Sequence, residues 1–114
     1  MKFFGLLLSI CLLSAPALAQ TISPKDVRSH VGTTVTVRGV VDEVHTSDHG
    51  NVFLNMGGHY PNQIFTGFIR ARTAAAFPNV QSYQNKNVSI SGTLKLYKGK
   101  PEIEMDFASQ LSAK

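Results

Sequence analysis

The sequence predicts an all-β domain of five strands with two short helical segments, and three observations predict it. Apolar residues recur with period two in successive short runs between Thr34 and Phe107. Each run is bounded by Gly, Pro, Asn, Asp or Ser, the residues that turn a chain between strands. Only Pro24–Val31 and Thr73–Phe77 carry helical signals, and both are short. The 114 residues allow one domain. With 43% hydrophobic and 16% charged residues the composition is that of a globular chain, and no apolar run approaches the roughly 20 residues of a membrane span.

The opening of the chain reads as an export signal. Met1-Lys2 supplies positive charge, Phe3 to Leu13 forms a short apolar run, and Ala17-Leu18-Ala19 ends in the A-x-A pattern of a cleavage site before Gln20. The run is too short for an anchor helix and Pro16 interrupts it. Cys11 follows Leu8-Ser9-Ile10 in a loose lipobox, but a bulky Ile10 stands where a small residue is needed. The expected division is therefore 1–19 signal peptide and 20–114 folded domain. Cleavage after Ala19 removes the single cysteine and leaves 10 basic against 7 acidic residues, taking the net charge from +4 to +3. A protein of this kind is periplasmic or secreted, and its fold uses neither a disulfide nor a thiolate nucleophile.

Within the domain, Ser23-Pro24-Lys25-Asp26 has the residues of a helix start, and Gly32 those of its stop. Val27 and Val31 give that helix one apolar stripe. Val35 and Val37 alternate with Thr34, Thr36 and Arg38 in the first strand. Gly39 interrupts the pattern, and Val40-Val41 and Val44 resume it in shifted phase, which predicts a bulge or bend at Gly39. His45 to Asn51 is turn chemistry. Val52, Leu54 and Met56 form one face of the second strand, and Gly57 to Asn62 breaks it. Ile64 to Arg70 is the third strand. Its pattern admits either Phe65 and Ile69 or Ile64 and Phe68 as the inward pair, the first being preferred. Thr73 to Phe77 is helical and is stopped by Pro78-Asn79. Asn87 to Tyr97 alternates as the fourth strand, Lys98-Gly99-Lys100-Pro101 turns the chain, and Ile103, Met105 and Phe107 alternate with Glu102, Glu104 and Asp106 in the fifth.

Five strands with a helical segment between the third and fourth is the element order of an OB-fold, a five-stranded Greek-key barrel. The spacing alone also admits an SH3-like barrel or an irregular sandwich. Four stretches sharpen the reading: Val35 to Val41, Gly50 to Gly58, Tyr60 to Thr66 and Tyr97 to Ile103. Together they resemble exported bacterial OB-fold domains of the nucleic-acid-binding type, whose barrel is similar to that of thermonuclease-like proteins. The resemblance implies a binding domain, and its motifs identify the barrel better than the ligand. The Asp-Gly-Asp-type strand motif of the thermonuclease-like enzymes is missing, and Arg70-Ala71-Arg72 lacks their context. There is likewise no Ser/His/Asp motif, no G-x-S-x-G and no P-loop, so the chain is expected not to be an enzyme.

The usual ligand face of an OB-fold lies on the second and third strands and the loops beside them. Here it offers Phe53, Asn55, Thr66, Phe68 and Arg70, with Arg38 on the first strand, Tyr60 in the connecting loop, and Tyr97, Lys98 and Lys100 in the last hairpin. Aromatic faces for bases and cations for phosphates suit single-stranded nucleic acid. Glu102, Glu104 and Asp106 oppose that reading by repelling phosphate, and the alternative partner is an envelope protein or a glycan. His45, Asp48, His49 and His59 are potential metal ligands by type, but His45 and His49 span a loop and nothing completes their shell. No metal or other cofactor is expected.

Overall fold

The computed structural model describes residues 19–113. The expected signal peptide falls almost wholly on residues 1–18, outside the described residues, as does Cys11. The described chain is all-β: β1 (Gln20–Ile22), β2 (Thr34–Thr46), β3 (Val52–Met56), β4 (Phe65–Ile69), β5 (Asn87–Thr93), β6 (Lys95–Tyr97), β7 (Lys100–Glu104) and β8 (Leu111–Ser112). They form one sheet in the order β6-β7-β4-β3-β2-β5-β8, with β1 added in parallel to β2. Neighbours pair antiparallel except β4 and β7, which run parallel. The sheet curls around a single core in which Val37, Val41, Leu54, Met56, Phe65, Ile69, Val88, Ile90, Leu94, Ile103 and Met105 are fully buried.

The sheet is organised by β2, whose 13 residues carry two ladders. Thr34–Val40 pairs with β5, and Val41–Thr46 pairs with β3. The register shifts between Val41 and Glu43, so the bulge is at Asp42 and not at Gly39. Val35, Val37 and Val41 all face the core, and the inward phase changes only afterwards, at Val44. Gly39 has a different reason to be glycine: a Cβ there would lie 2.7 Å from Pro24 Cγ and 3.2 Å from Met56 Sδ. The Val40 side chain, read as part of a shifted inward phase, is exposed.

Eight strands replace the expected five for three local reasons. Gln20–Ile22 adds itself to β2. The fourth expected strand divides at Leu94, whose N–H donates to Thr33 O (2.9 Å) and whose carbonyl accepts from Gly32 N–H (2.8 Å), so that Lys95–Tyr97 leaves β2 and pairs with β7 instead. The last expected strand ends early. Asp106 and Phe107 give their N–H groups to Gln110 Oε1 (2.7 and 3.0 Å), a 3₁₀ turn follows at Ala108–Gln110, Phe107 is 69% exposed, and Leu111–Ser112 then pairs with β5 as the separate strand β8. The hairpin turn is Lys98-Gly99 alone, both at positive φ (52° and 80°), a type I′ geometry that places Lys100 and Pro101 in β7.

The helical segments are 3₁₀ turns at Pro24–His30, Ala71–Ala76 and Val80–Tyr83. Ser23 occupies the expected cap position, but its hydroxyl donates to the Asp26 carboxylate (3.0 Å) rather than accepting from the turn's backbone. Val27 is buried and Val31 is exposed, so the apolar stripe is one residue. In β4 the preferred phase holds: Phe65 and Ile69 point inward.

Candidate binding face

Alternation along β2, β3, β4 and β7 sends a second set of side chains to the outside of the sheet, and the ladders line them up in two cross-strand rows. The first row is His45, Phe53, Phe68 and Glu104. The His45 and Phe53 rings stack 6.0 Å apart, and Phe53 and Phe68 meet at 5.2 Å with a 43° tilt. The Arg70 guanidinium lies 5.6 Å over the Phe68 ring and donates from Nε to Glu104 Oε2 at 2.5 Å. Lys95 donates to the other Glu104 oxygen at 3.2 Å. Burial raises the Glu104 carboxyl, but the hydrogen bonds and charges of Arg70 and Lys95 outweigh it and hold the group below the usual glutamate value.

The second row is Glu43, Asn55, Thr66, Glu102 and Lys95. Asn55 donates to Glu43 Oε1 (3.0 Å) and accepts from the Thr66 hydroxyl (2.8 Å). Although this row faces outward, Asn55 is only 2% exposed, Thr66 4% and Glu102 8%. The segment between β3 and β4 accounts for part of this, because it folds back across the row. Tyr60 N–H donates to Glu43 Oε1 (2.9 Å), Gly58 N–H to Asp42 Oδ2 (2.8 Å), and the Gln63 amide reaches Thr66 Oγ1 (3.4 Å). The Tyr60 N–H bond, with that from Asn55, lowers the Glu43 carboxyl, whereas burial raises that of Glu102 against the partial compensation of Lys95 at 4.0 Å.

The expected residues therefore divide. Phe53, Phe68 and Arg70 share the aromatic row, in which the two phenylalanines are half-buried and Arg70 is exposed. Asn55 and Thr66 lie in the covered row. Tyr60 is on the covering segment and is 72% exposed. Lys100 donates to the carbonyls of Pro61 (2.8 Å) and Gln63 (3.3 Å), tying the last hairpin to that segment. Tyr97 and Lys98 are exposed at the hairpin, with the Lys98 amine 5.4 Å over the Tyr97 ring. Arg38 is not brought to these rows; it lies on the β2–β5 ladder and donates to Ser89 Oγ (2.9 Å).

Sequence reasoning missed Glu43, His45, Lys95 and Gln63 as parts of this face. The first two became legible only with the bulge at Asp42, which sets their phase. Of the histidines weighed for metal, His45 stacks on Phe53, and among the described residues no group of three or more His, Cys, Asp or Glu is arranged to hold a metal ion. Beside the face, where β5 and β7 do not pair, lies an open cleft of about 420 Å³ that shares Lys95 and Glu104 with it. No helix among the described residues is long and apolar enough to cross a membrane.

No family model and no curated protein sequence matches the chain. Solved structures do: among 32 matching chains is a Leishmania major Friedlin protein assigned as an aspartyl-tRNA synthetase, with a TM-score of 0.56 and 8% identity. The match covers 91% of this chain and 22% of that one, so the present chain spans about a fifth of its neighbour's length, and the likeness is one of fold.

Proposed function

We propose that the protein is an exported, non-enzymatic OB-fold module that binds single-stranded nucleic acid across its aromatic row. The observation that carries the reading is the contiguous His45–Phe53–Phe68 stack with Arg70 over its end. Aromatic rings at a sheet surface take bases by stacking, and each stacked base contributes roughly 1–3 kcal/mol. The exposed Tyr97 and Lys98 extend the same chemistry at the hairpin. The parallel β4–β7 pairing and the double use of β2 support a five-stranded Greek-key core made of β2, β3, β4, β5–β6 and β7. The aspartyl-tRNA synthetase, a tRNA-handling protein by name, adds a nucleic-acid-related host of similar strand arrangement. The three-part layout of residues 1–19 supports export to the periplasm or beyond.

One observation favours a second reading. Arg70 and Lys95 are both taken by Glu104, with Glu102 beside them, so the row's charge is balanced. A balanced aromatic surface also suits a glycan or an envelope protein. Fluorescence anisotropy of the purified protein with labelled single-stranded DNA and RNA, at low and then physiological salt, separates the two. Saturable, salt-sensitive binding that weakens in Phe53→Ala and Phe68→Ala is expected. Absence of binding at low salt overturns the nucleic-acid reading and leaves the glycan or protein partner.

A further inference from the structure

The covered row is built unlike a core. Three polar residues of the row (Asn55, Thr66 and Glu102) are each more than nine-tenths buried outside the apolar interior, as is Gln63 in the loop that folds across it. Buried polar groups lower stability unless every one is satisfied, and here the set is incomplete: Gln63 Oε1 is buried with no hydrogen-bond partner. Glu102 keeps a carboxylate out of water with its nearest cation at 4.0 Å. An apolar row would seat the same loop more stably. Such a surface gains its worth only when something other than the loop lies on it.

The loop itself is fastened at a few points, the Gln63 amide on Thr66 Oγ1 among them. Its two ends meet, with Ile64 N–H donating to Met56 O (3.0 Å) and the Ile64 side chain occupying the space a Gly57 Cβ would need. Gly57 and Gly58, at φ 75° and 133°, form the turn at one end, where backbone freedom is greatest. Between the ends the attachments are polar: Gly58 to Asp42, Tyr60 to Glu43, and Pro61 and Gln63 to Lys100. Ends that meet and a body held by its own contacts describe a compact Ω-type loop.

We propose that residues 57–64 form a displaceable strap, and that the Glu43–Asn55–Thr66–Glu102 row beneath it is a second subsite of the ligand face that accepts hydrogen bonds from the amino group of a base. This rests on the nucleic-acid reading above. The row is acceptor-rich: the Glu43 and Glu102 carboxylates, the Asn55 amide oxygen and the Thr66 hydroxyl face few donors, and lifting the strap takes the Gln63 amide away from Thr66. Carboxylates take the exocyclic amine of cytosine, whereas thymine presents carbonyl oxygens in its place. With the strap down, only the aromatic row is open and binding is by stacking. With it lifted, bases bearing an amine gain a second set of contacts.

The strap and the subsite are tested separately. In full-length protein carrying Cys11→Ser, a Thr66→Cys thiol reports opening through its rate of maleimide labelling, with Ser109→Cys as an exposed reference. Thr66→Cys should react at least about tenfold more slowly than the reference, and Asp42→Ala, which removes one charge-assisted attachment, should speed it about tenfold. Hydrogen exchange should show Gly58 and Tyr60 losing protection while Leu54 and Gly67 keep theirs. Labelling unmoved by Asp42→Ala, or speeded together with loss of protection in the ladder, overturns the strap. If Asp42→Ala does not fold, Lys100→Met cuts the attachment at the other side and is read in the same way. For the subsite, oligo(dC) and oligo(dT) of equal length are compared in wild type and Asp42→Ala. Oligo(dC) should gain several-fold in the variant and oligo(dT) nothing. Binding of oligo(dT) with no gain for oligo(dC) overturns the subsite and leaves the nucleic-acid reading intact. Binding of neither, with labelling as expected, overturns the nucleic-acid reading and the subsite together, and the strap stands.

Discussion

Glu104 sets the charge of the aromatic row, and Glu104→Gln should change the way the row responds to salt. In the wild type its two oxygens hold Arg70 at 2.5 and 3.4 Å and Lys95 at 3.2 Å. Glu102 is the only other carboxylate within ion-pair distance of these cations among the described residues, 4.0 Å from Lys95. Neutralising Glu104 therefore leaves Lys95 with Glu102 and frees Arg70, which already sits over Phe68 at the end of the stack. On the nucleic-acid reading proposed above, the phosphate track then gains one cation. For single strands each neutralised phosphate adds about 0.7 to the slope of log affinity against log salt, so a tenfold rise in salt should cost the variant about fivefold more affinity than it costs the wild type. The assay is anisotropy with one labelled oligonucleotide across a salt series. Arg70→Ala in the Glu104→Gln background should return the slope to the wild-type value. A slope unchanged by Glu104→Gln, with binding intact, would place the phosphates elsewhere and refute the argument that Glu104 holds Arg70 back from them.

Three further outcomes follow from the packing and the titrations. Gln110 joins β5 to β7 where the strands do not pair, donating to Ser91 O (2.9 Å) and Glu104 O (3.2 Å) and accepting from the Asp106 and Phe107 N–H groups. At about 1 kcal/mol net per bond, with water replacing some, Gln110→Ala should cost about 2–3 kcal/mol and lower Tm by on the order of 10–20 °C in a scanning calorimeter; a drop of a few degrees would mean that water substitutes for the side chain. Burial raises the Glu102 carboxyl, so its contribution is present below the ordinary value of 4.5 and lost as pH rises through its raised folded value. Urea midpoints of Glu102→Gln should therefore pull ahead of wild type as pH rises through that window. The Tyr60 N–H lowers the Glu43 carboxyl, so its contribution is present above 4.5 and lost as pH falls through the lower folded value. Glu43→Gln should flatten the acid side of the profile, and both variants shifting the same limb would contradict these assignments.

Much of the fold was legible because period two survives wherever one strand face is buried. Leu54 and Met56, Val88 and Ile90, and Ile103 and Met105 all point inward as their spacing requires. What was not legible depended on partners distant in sequence. Nothing local to Leu94 marks it as the point where a strand changes neighbours; the cause is its pairing with Gly32 and Thr33. Phe107 continues an alternation that ought to bury it, but Gln110 captures the backbone two residues after the strand ends. For the binding face, the aromatics could be found by type, because outward Phe is unusual enough to mark a surface. The carboxylates could not be assigned to the same surface, since that requires the register of β2 against β3 and of β4 against β7. The alternation that points Leu54, Met56, Phe65 and Ile69 inward sends Asn55 and Thr66 outward, yet an outward side chain is exposed only if nothing lies over it.

The bulge at Asp42 is the feature on which both the curl of the sheet and the strap depend. Without Asp42 the strand would alternate regularly, with Val41 and Val44 inward and Glu43 and His45 outward. The extra residue is therefore not needed for the pattern of inside and outside. It does two other things. It adds bend and twist at the point where β2 exchanges β5 for β3, and it sets two consecutive carboxylates against one loop, where they accept from Gly58 and Tyr60, alternate residues of the strap. Substitution and deletion separate these effects. Asp42→Ala keeps the residue count and loses one charge-assisted attachment, and should cost about 1.5 kcal/mol. Deleting Asp42 straightens the strand, so that one ladder can form only at the expense of the other, and the loss should exceed about 3 kcal/mol, as breaking a buried hydrogen-bonded network does. Chemical denaturation of the two variants measures the difference, and hydrogen exchange along β5 and β3 identifies the ladder that yields. Equal stability of the two would mean that β2 bends without its bulge, and the curvature would then have to come from Gly39, where a Cβ would meet Pro24 Cγ at 2.7 Å.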